Sequence, residues 1–451
     1  MASEETPKNS KRPIGPIADP ILRFAQLENA GAILLLLMTV LALAWANSPW
    51  GESYHHLWHT KVSFGWGDHT LSLPLEMWVN DGLMAIFFFT VGLEIKREMV
   101  LGELSSLSRA MLPVMGALGG MIVPAAIYAS IHVGGPAASG WGVPMATDIA
   151  FAVAALAVLG KRVPPPLKVF LLALAIADDL GAVTVIAVFY TETIHLGALF
   201  TSFALLALVF GMNLLGVRAF PAYWLVGAFV WFYMHESGVH ATIAGVLLGM
   251  LTPATARLDP GESFSERAHS LADKIRELVN MPDTDDYGGH QKAHVVDDVV
   301  GVYTRAQSPL DYLLHQLERF VALAIMPVFA LANAGVVFDA EVFGDSMSMW
   351  VATAVGCGLF FGKPIGVTIF AWLSVRLGFA ILPTGVNYAA LAGTGALAGI
   401  GFTMALFVTN LAFANPILIS GSKIGIFAGS LASAIVGVML LQRALPKEPQ
   451  T

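Results

Sequence analysis

The chain has 451 residues, of which 56% are apolar and 12% charged, with a net charge of −8. Soluble domains carry about 25% charged residues, so a water-facing surface would lack half its charge, which excludes an ordinary soluble protein. No Lys/Arg stripe suits nucleic acid, and the single cysteine, Cys357, excludes an intrachain disulfide or a zinc site built on several thiolates.

In chain order, residues 1–28 form a polar segment carrying Lys8, Lys11, Arg12 and Arg23, read as a cytoplasmic N-terminal tail. The first apolar segment, 30–46, ends in Ala44-Trp45-Ala46, which has the small-x-small look of a signal-peptide cleavage site. Because more apolar segments follow, an uncleaved first span is expected. Around Gly67-Asp68, residues 62–73 alternate apolar with small or polar residues, the pattern of a β-hairpin. His55, His56 and His59 precede it without an acid-framed ligand set, so a wet loop is expected there rather than a metal site.

Further apolar segments occupy 76–93, 110–131, 141–159, 167–190, 196–216, 220–235, 238–252, 316–337, 350–375, 387–414 and 420–441. With the first they make about twelve candidate spans, each near the roughly 20 residues that cross a bilayer. An even number puts both termini on one side. Lys96, Arg97 and Arg109 follow the second segment, Lys161, Arg162 and Lys168 the fourth, Arg218 the sixth and Arg376 the tenth, whereas the odd-numbered connections hold little beyond Lys61 and Lys423. Basic loops stay in the cytoplasm, so both termini are expected there and the hairpin on the periplasmic face. The domain reading is a tail (1–28), eight spans (29–253, hairpin at about 60–74), a charged cytoplasmic insertion (254–310), four spans (311–442) and a cytoplasmic C-terminal tail (443–451). The insertion carries Asp283-Thr284-Asp285-Asp286 and one expected amphipathic helix at 264–279.

The informative residues are those that break the apolar pattern: Asp81, Glu94, Asp148, Asp178, Asp179 and Lys363. A charge at bilayer depth costs several kcal/mol and marks a functional site by default. Asp148, Asp178, Asp179 and Lys363 fall near the midpoints of their segments. Adjacent helical residues point about 100° apart, so Asp178 and Asp179 cannot both face one small site. One is expected to line it and the other to turn to a neighbour, with Lys363 the available cation. The bland alternative is an ion pair that pins helices together, but three acids against one base leave surplus negative charge that needs a cation. Desolvated carboxylates hold protons more readily than exposed ones. Hard oxygens, including the Thr147 hydroxyl, suit Na⁺ or Li⁺, so one site can exchange metal for protons.

Pro144 lies four residues before Asp148, and 393–401 carries four glycines. Such interruptions in the two halves of a chain point to discontinuous helices at a transporter's binding site. Close packing through small residues is the alternative, expected for Gly116/Gly120 and Gly245/Gly249.

These residues stand in recognisable stretches: Trp78-Val79-Asn80-Asp81-Gly82, Val91-Gly92-Leu93-Glu94-Ile95-Lys96-Arg97-Glu98, Ala146-Thr147-Asp148, Ala177-Asp178-Asp179-Leu180-Gly181, Ser237-Gly238-Val239-His240-Ala241-Thr242, Gly362-Lys363-Pro364 and Gly399-Ile400-Gly401-Phe402-Thr403. Together they resemble the NhaA family of bacterial sodium/proton antiporters. The resemblance implies an all-α inner-membrane protein of twelve helices, with an inverted-topology repeat of the third to fifth and tenth to twelfth spans. It further implies broken, crossing fourth and eleventh spans, and electrogenic exchange of one Na⁺ or Li⁺ for two H⁺ with no cofactor. By motif match, Asp179 resembles the principal cation ligand and proton carrier, and Asp178 its partner, pairing with Lys363; Thr147 and Asp148 resemble the broken-helix residues beside the site. Glu94 and Glu98 resemble residues of a cytoplasmic funnel concerned with pH response, against the plainer reading of helix-end acids beside Lys96 and Arg97. His240 has a pH role or is simply packed. The hairpin resembles a dimerising one, implying a homodimer through 62–73.

The sequence departs from the family where a Glu-His pair is expected and Leu314-His315 stands, with Asp311 and Glu318 nearby; together with the insertion this leaves the pH profile open. An intramembrane aspartyl protease would need its acids on separate helices in a Gly-x-Gly-Asp context, and a sodium-coupled symporter would need a polar pocket for its solute. The sequence offers neither, so a carrier of small ions, not an enzyme, is expected.

Overall fold

The computed structural model describes residues 30–66, 69–191, 193–217, 220–254, 269–270, 272–276, 308–338 and 340–446. The N-terminal tail, the hairpin tip at 67–68, Arg218, the acidic run 283–286 and the last residues of the C-terminal tail lie outside them. Of the helix expected at 264–279, only 269–270 and 272–276 are described, and these are helical.

Helix α1 (Ala30–Ala46) bends by 113° into α2 (Gly51–His59). His55, His56 and His59 are exposed on α2, so a helix stands where a loop was expected; Gly51 and Glu52 open it, after Ser48 turns the chain by accepting the Trp50 N–H. Strands β1 (Lys61–Trp66) and β2 (His69–Pro74) pair antiparallel, with Lys61 opposite Pro74 and Trp66 opposite His69. Pro74 lacks the N–H that a longer ladder would need, and the chain turns there into α3 (Leu75–Val100).

Then follow α4 (Leu107–Ile131), a 3-10 turn (Ala138–Met145) leading to α5 (Ile149–Ala157), α6 (Pro165–Phe189), α7 (Leu196–Leu214), α8 (Phe220–Glu236) and α9 (Thr242–Leu251). After the insertion come α10 (Pro309–Asn333), α11 (Ser346–Arg376), α12 (Tyr388–Ala398), α13 (Phe402–Ala412) and α14 (Pro416–Ala444). Among the described residues, eight helical stretches are long and apolar enough to cross a membrane, or up to ten if each of two bent pairs is one span. The segments expected at 220–235 and 238–252 form helices of 17 and 10 residues, short of that length. Three helices widen into π turns: Trp78–Leu83 in α3, Val321–Ile325 in α10 and Gly358–Gly362 in α11.

Packing sorts the helices into two bundles. In the first, α3 lies against α9, α8 against α7 and α9, and α10 against α1. In the second, α4 lies against α6 and α11, and α14 against α11 and α12. Small residues allow this without a hydrophobic drive between helices in lipid. In the first bundle, a Cβ on Gly92 would meet the Val246 carbonyl and one on Gly245 the Ala85 carbonyl; in the second, Gly119 and Gly366 would each meet the other's carbonyl. The bundles touch along a narrower seam, where α3 meets α6 and α10 meets α13. Phe407 of α13 fills it against Phe88 and Phe329 of the first bundle.

Candidate functional site

The second bundle contains two interruptions, and they bond to each other. Proline at 144 has no N–H, so helix hydrogen bonding cannot run through it, and the backbone is extended at Ala146 and Asp148. Helix α5 restarts with Asp148 as its N-cap, the carboxylate accepting from the Phe151 N–H at 3.2 Å. The second break, Gly399 to Gly401, bends α12 from α13 by 50°. Across the gap, the Asp148 N–H donates to the Ile400 carbonyl at 2.7 Å and the Thr147 hydroxyl to the Ala398 carbonyl at 2.8 Å. The other Asp148 oxygen accepts from the Thr403 N–H at 3.2 Å and from the Thr403 hydroxyl. Each broken end thus supplies the partners that the other's exposed backbone lacks, as buried helix termini require.

Against this junction lies α6, unbroken, with Asp178 and Asp179. The Lys363 ammonium donates to Asp178 Oδ2 at 2.7 Å and to the Thr147 hydroxyl at 2.9 Å. Lys363 begins the regular helix after the π turn of α11, where Pro364 has no N–H to offer Phe360 and so favours the widened turn. On α4, Gly120 leaves room for its stem: a Cβ there would sit 3.5 Å from Lys363 Cδ. Thr147, Asp148, Asp178, Asp179 and Lys363 are each at most 2% exposed.

The five residues read from the sequence therefore converge, and their hydrogen bonding separates them. Asp148 is fully engaged in joining the two breaks. Asp178 is half engaged, with Oδ2 on Lys363 and Oδ1 unpartnered among the described residues. Asp179, turned about 100° round the helix, also has Oδ1 buried without a partner. The charged groups acting on it are Asp178, Glu94, Lys363 and Asp148. Buried polar atoms are nearly always satisfied, and unsatisfied ones call for an explanation. Two open carboxylate oxygens on adjacent residues are hard donors of the kind that hold a small monovalent cation or a proton. No group of three or more His, Cys, Asp or Glu arranged for a metal ion occurs among the described residues.

Glu98 and His240 make their contacts elsewhere. Glu98 accepts from the Glu103 N–H at 2.9 Å and so fixes the turn after α3. Beside it, Lys96 donates to the Met250 carbonyl at 2.7 Å and Arg97 lies 3.6 Å from Asp311. Leu314 is buried with Leu93, Leu310 and Leu317 in a small apolar cluster. His240 packs edge-on to Phe407, shares a 2.8 Å hydrogen bond with Thr242 and lies 3.7 Å from Asp81. His235 flanks Asp81 on its other side, also at 3.7 Å.

Sequence reasoning missed Thr403 as a ligand of Asp148, although it stood in a quoted stretch. It also missed three asparagines, Asn80, Asn333 and Asn410, which lie within apolar segments. A search for ionisable groups passes over amides; a search for any strongly polar side chain in an apolar segment finds them.

A family model described as Na⁺/H⁺ antiporter 1 matches residues 22–441. The Na⁺/H⁺ antiporter NhaA of Oleidesulfovibrio alaskensis is 47% identical over 451 residues, covering 100% of both chains. That of Rhodopirellula baltica is 47% identical over 96% of this chain and 97% of its own. In fold, the chain is similar to a solved sodium proton antiporter of Methanocaldococcus jannaschii, with a TM-score of 0.50 over 96% of each chain at 12% identity.

Proposed function

The chain belongs to the Na⁺/H⁺ antiporter 1 family, and we propose that it exchanges one Na⁺ or Li⁺ for two H⁺ at Asp178 and Asp179, by alternating access, in a pH-regulated manner. It is a multi-pass membrane protein. We read it as twelve spans in an inverted repeat with two crossing broken helices, both termini cytoplasmic, the hairpin periplasmic and joining a homodimer, in a bacterial inner membrane.

One observation carries the site assignment: the buried Asp179 Oδ1 without a partner among the described residues, next to an Asp178 already tied to Lys363. A dry carboxylate without a partner is costly as an anion, so it is stable only when neutralised by a proton or a metal ion. Both neutralise the same oxygens and therefore exclude one another, which is the coupling that exchange requires. Lys363 holds Asp178 in place and offsets its charge; displacement of that ammonium by an arriving cation offers a second place for a proton to leave. Asp148, occupied by Phe151 and Thr403, holds the junction rigid while Thr147 links Lys363 to the Ala398 carbonyl. Glu94 and Glu98, on the mouth side of α3, gather cations, and His240 contributes to the pH response.

The test is purified protein in vesicles holding a proton gradient, to which Na⁺ or Li⁺ is added without any organic solute. The gradient collapses, and faster when the membrane potential favours the surplus proton. Competition fixes the sign of the pH effect: as pH falls, protons occupy the carboxylates and the apparent KM for Na⁺ rises. A KM unchanged across pH, or a gradient that collapses only with a solute present, overturns the reading.

A further inference from the structure

Three asparagines form a hydrogen-bonded chain from one bundle to the other. Asn410 Nδ2, near the end of α13, donates to Asn333 Oδ1 at 2.5 Å. Asn333 Nδ2, at the end of α10, donates to Asn80 Oδ1 at 2.8 Å and to the Phe329 carbonyl at 2.9 Å. Asn80 sits in the π turn of α3, six residues beyond the end of β2. Asn333 and Asn80 belong to the first bundle, so only the Asn410 bond crosses the seam. Asn333 is fully buried, and with both amide N–H groups and its amide oxygen engaged by α3, α10 and α13 it is oriented as a connector.

The position of the chain defines what it closes. Helix α13 leaves the junction at Gly401 and runs past Phe407 to Asn410, so the asparagines lie on the hairpin side of the candidate site. We propose that Asn410, held by Asn333 and Asn80, is the latch that closes the seam between site and hairpin face, and that its hydrogen bond breaks when the site opens to that face. Asn333 and Asn80 are positioning residues for it. The inference rests on the exchange reading, since only a carrier needs the seam to open, but its test does not require transport.

Cys357→Ser removes the single cysteine, and Met84→Cys then places a reporter one turn below Asn80, at a residue 0% exposed. A membrane-impermeant maleimide is added separately to each face of oriented vesicles, with and without Asn410→Ala. Labelling from the hairpin face is expected to rise about five- to tenfold, the population shift that loss of one hydrogen bond gives, while labelling from the opposite face does not rise. Asn410→Ser, which also loses the amide donor but disturbs packing less, is expected to act likewise. Unchanged labelling in both variants overturns the latch, and so does an equal rise from both faces, which marks a loosened fold. Failure of Na⁺-driven proton movement in the parent protein overturns the exchange reading and is seen separately.

Discussion

Asp178 and Asp81 are both carboxylates set among apolar helices, and their surroundings differ in distance and dryness. Asp178 meets Lys363 at 2.7 Å with side chains 3% and 1% exposed. Asp81 meets His235 and His240 each at 3.7 Å, and its own side chain is 14% exposed. A dry, close pair cannot lose one member without stranding a charge, whereas a looser cluster with access to water can. Within the drier region a second contrast appears, between Asp178, which is paired, and Asp179, whose buried Oδ1 has no partner among the described residues. On the proposed exchange, the paired Asp178 holds the helices and Asp179 is the one that trades.

The largest effect expected from that contrast is on activity. Asp179→Asn removes the negative charge while keeping size and leaves every hydrogen bond of the junction intact. Exchange falls to the level of empty vesicles, and the melting temperature stays level or rises because an unsatisfied carboxylate has gone. Exchange by this variant would assign the site elsewhere.

Next is a large effect on stability. Lys363→Ala leaves Asp178 unpaired in a dry interior, at a cost of about 3–5 kcal/mol. Adding Asp178→Asn removes the stranded charge and recovers most of the lost melting temperature. If single and double variants melt alike, the ammonium and the carboxylate are not a coupled pair. A smaller loss is expected from Thr403→Val, about 1–2 kcal/mol, because Asp148 keeps its bonds to the Phe151 and Thr403 amides; a loss as large as that of Lys363→Ala would mean the hydroxyl carries the junction alone.

How much of this was legible in the sequence follows from what kind of force is involved. The apolar segments, the two interruptions and the five mid-depth residues are local departures from a uniform background, and a departure such as Lys363 within 350–375 shows in one dimension. The 50° bend between α12 and α13 is written in Gly399 and Gly401. What does not show is which departures meet. That Thr403 answers Asp148 across 255 positions, or that Asn410 reaches Asn333, depends on the fold bringing two breaks and two bundles together. The π turns were also hidden, since they need only a missing donor such as Pro364 or a permissive glycine such as Gly82, and both residues occur without them elsewhere. The helix at His55, His56 and His59 was missed because its two buried residues, Tyr54 and Trp58, are four apart and too few to show a period.

The smallest effect belongs to the looser cluster. His235 lies 3.7 Å from Asp81, beyond hydrogen-bonding range, with its ring stacked on Trp231 and its side chain 26% exposed. His235→Gln therefore changes stability by less than about 1 kcal/mol. His240→Gln is expected to cost more, because it also loses the 2.8 Å contact with Thr242 and the edge-on packing against Phe407 at the seam. Thermal melts of the two variants side by side decide the matter: equal losses would mean that both histidines bind Asp81 alike and that their different packing is irrelevant. A loss in His235→Gln as large as that in Lys363→Ala would mean that Asp81 is as dry as Asp178, and the distinction between the two regions would fail at its root.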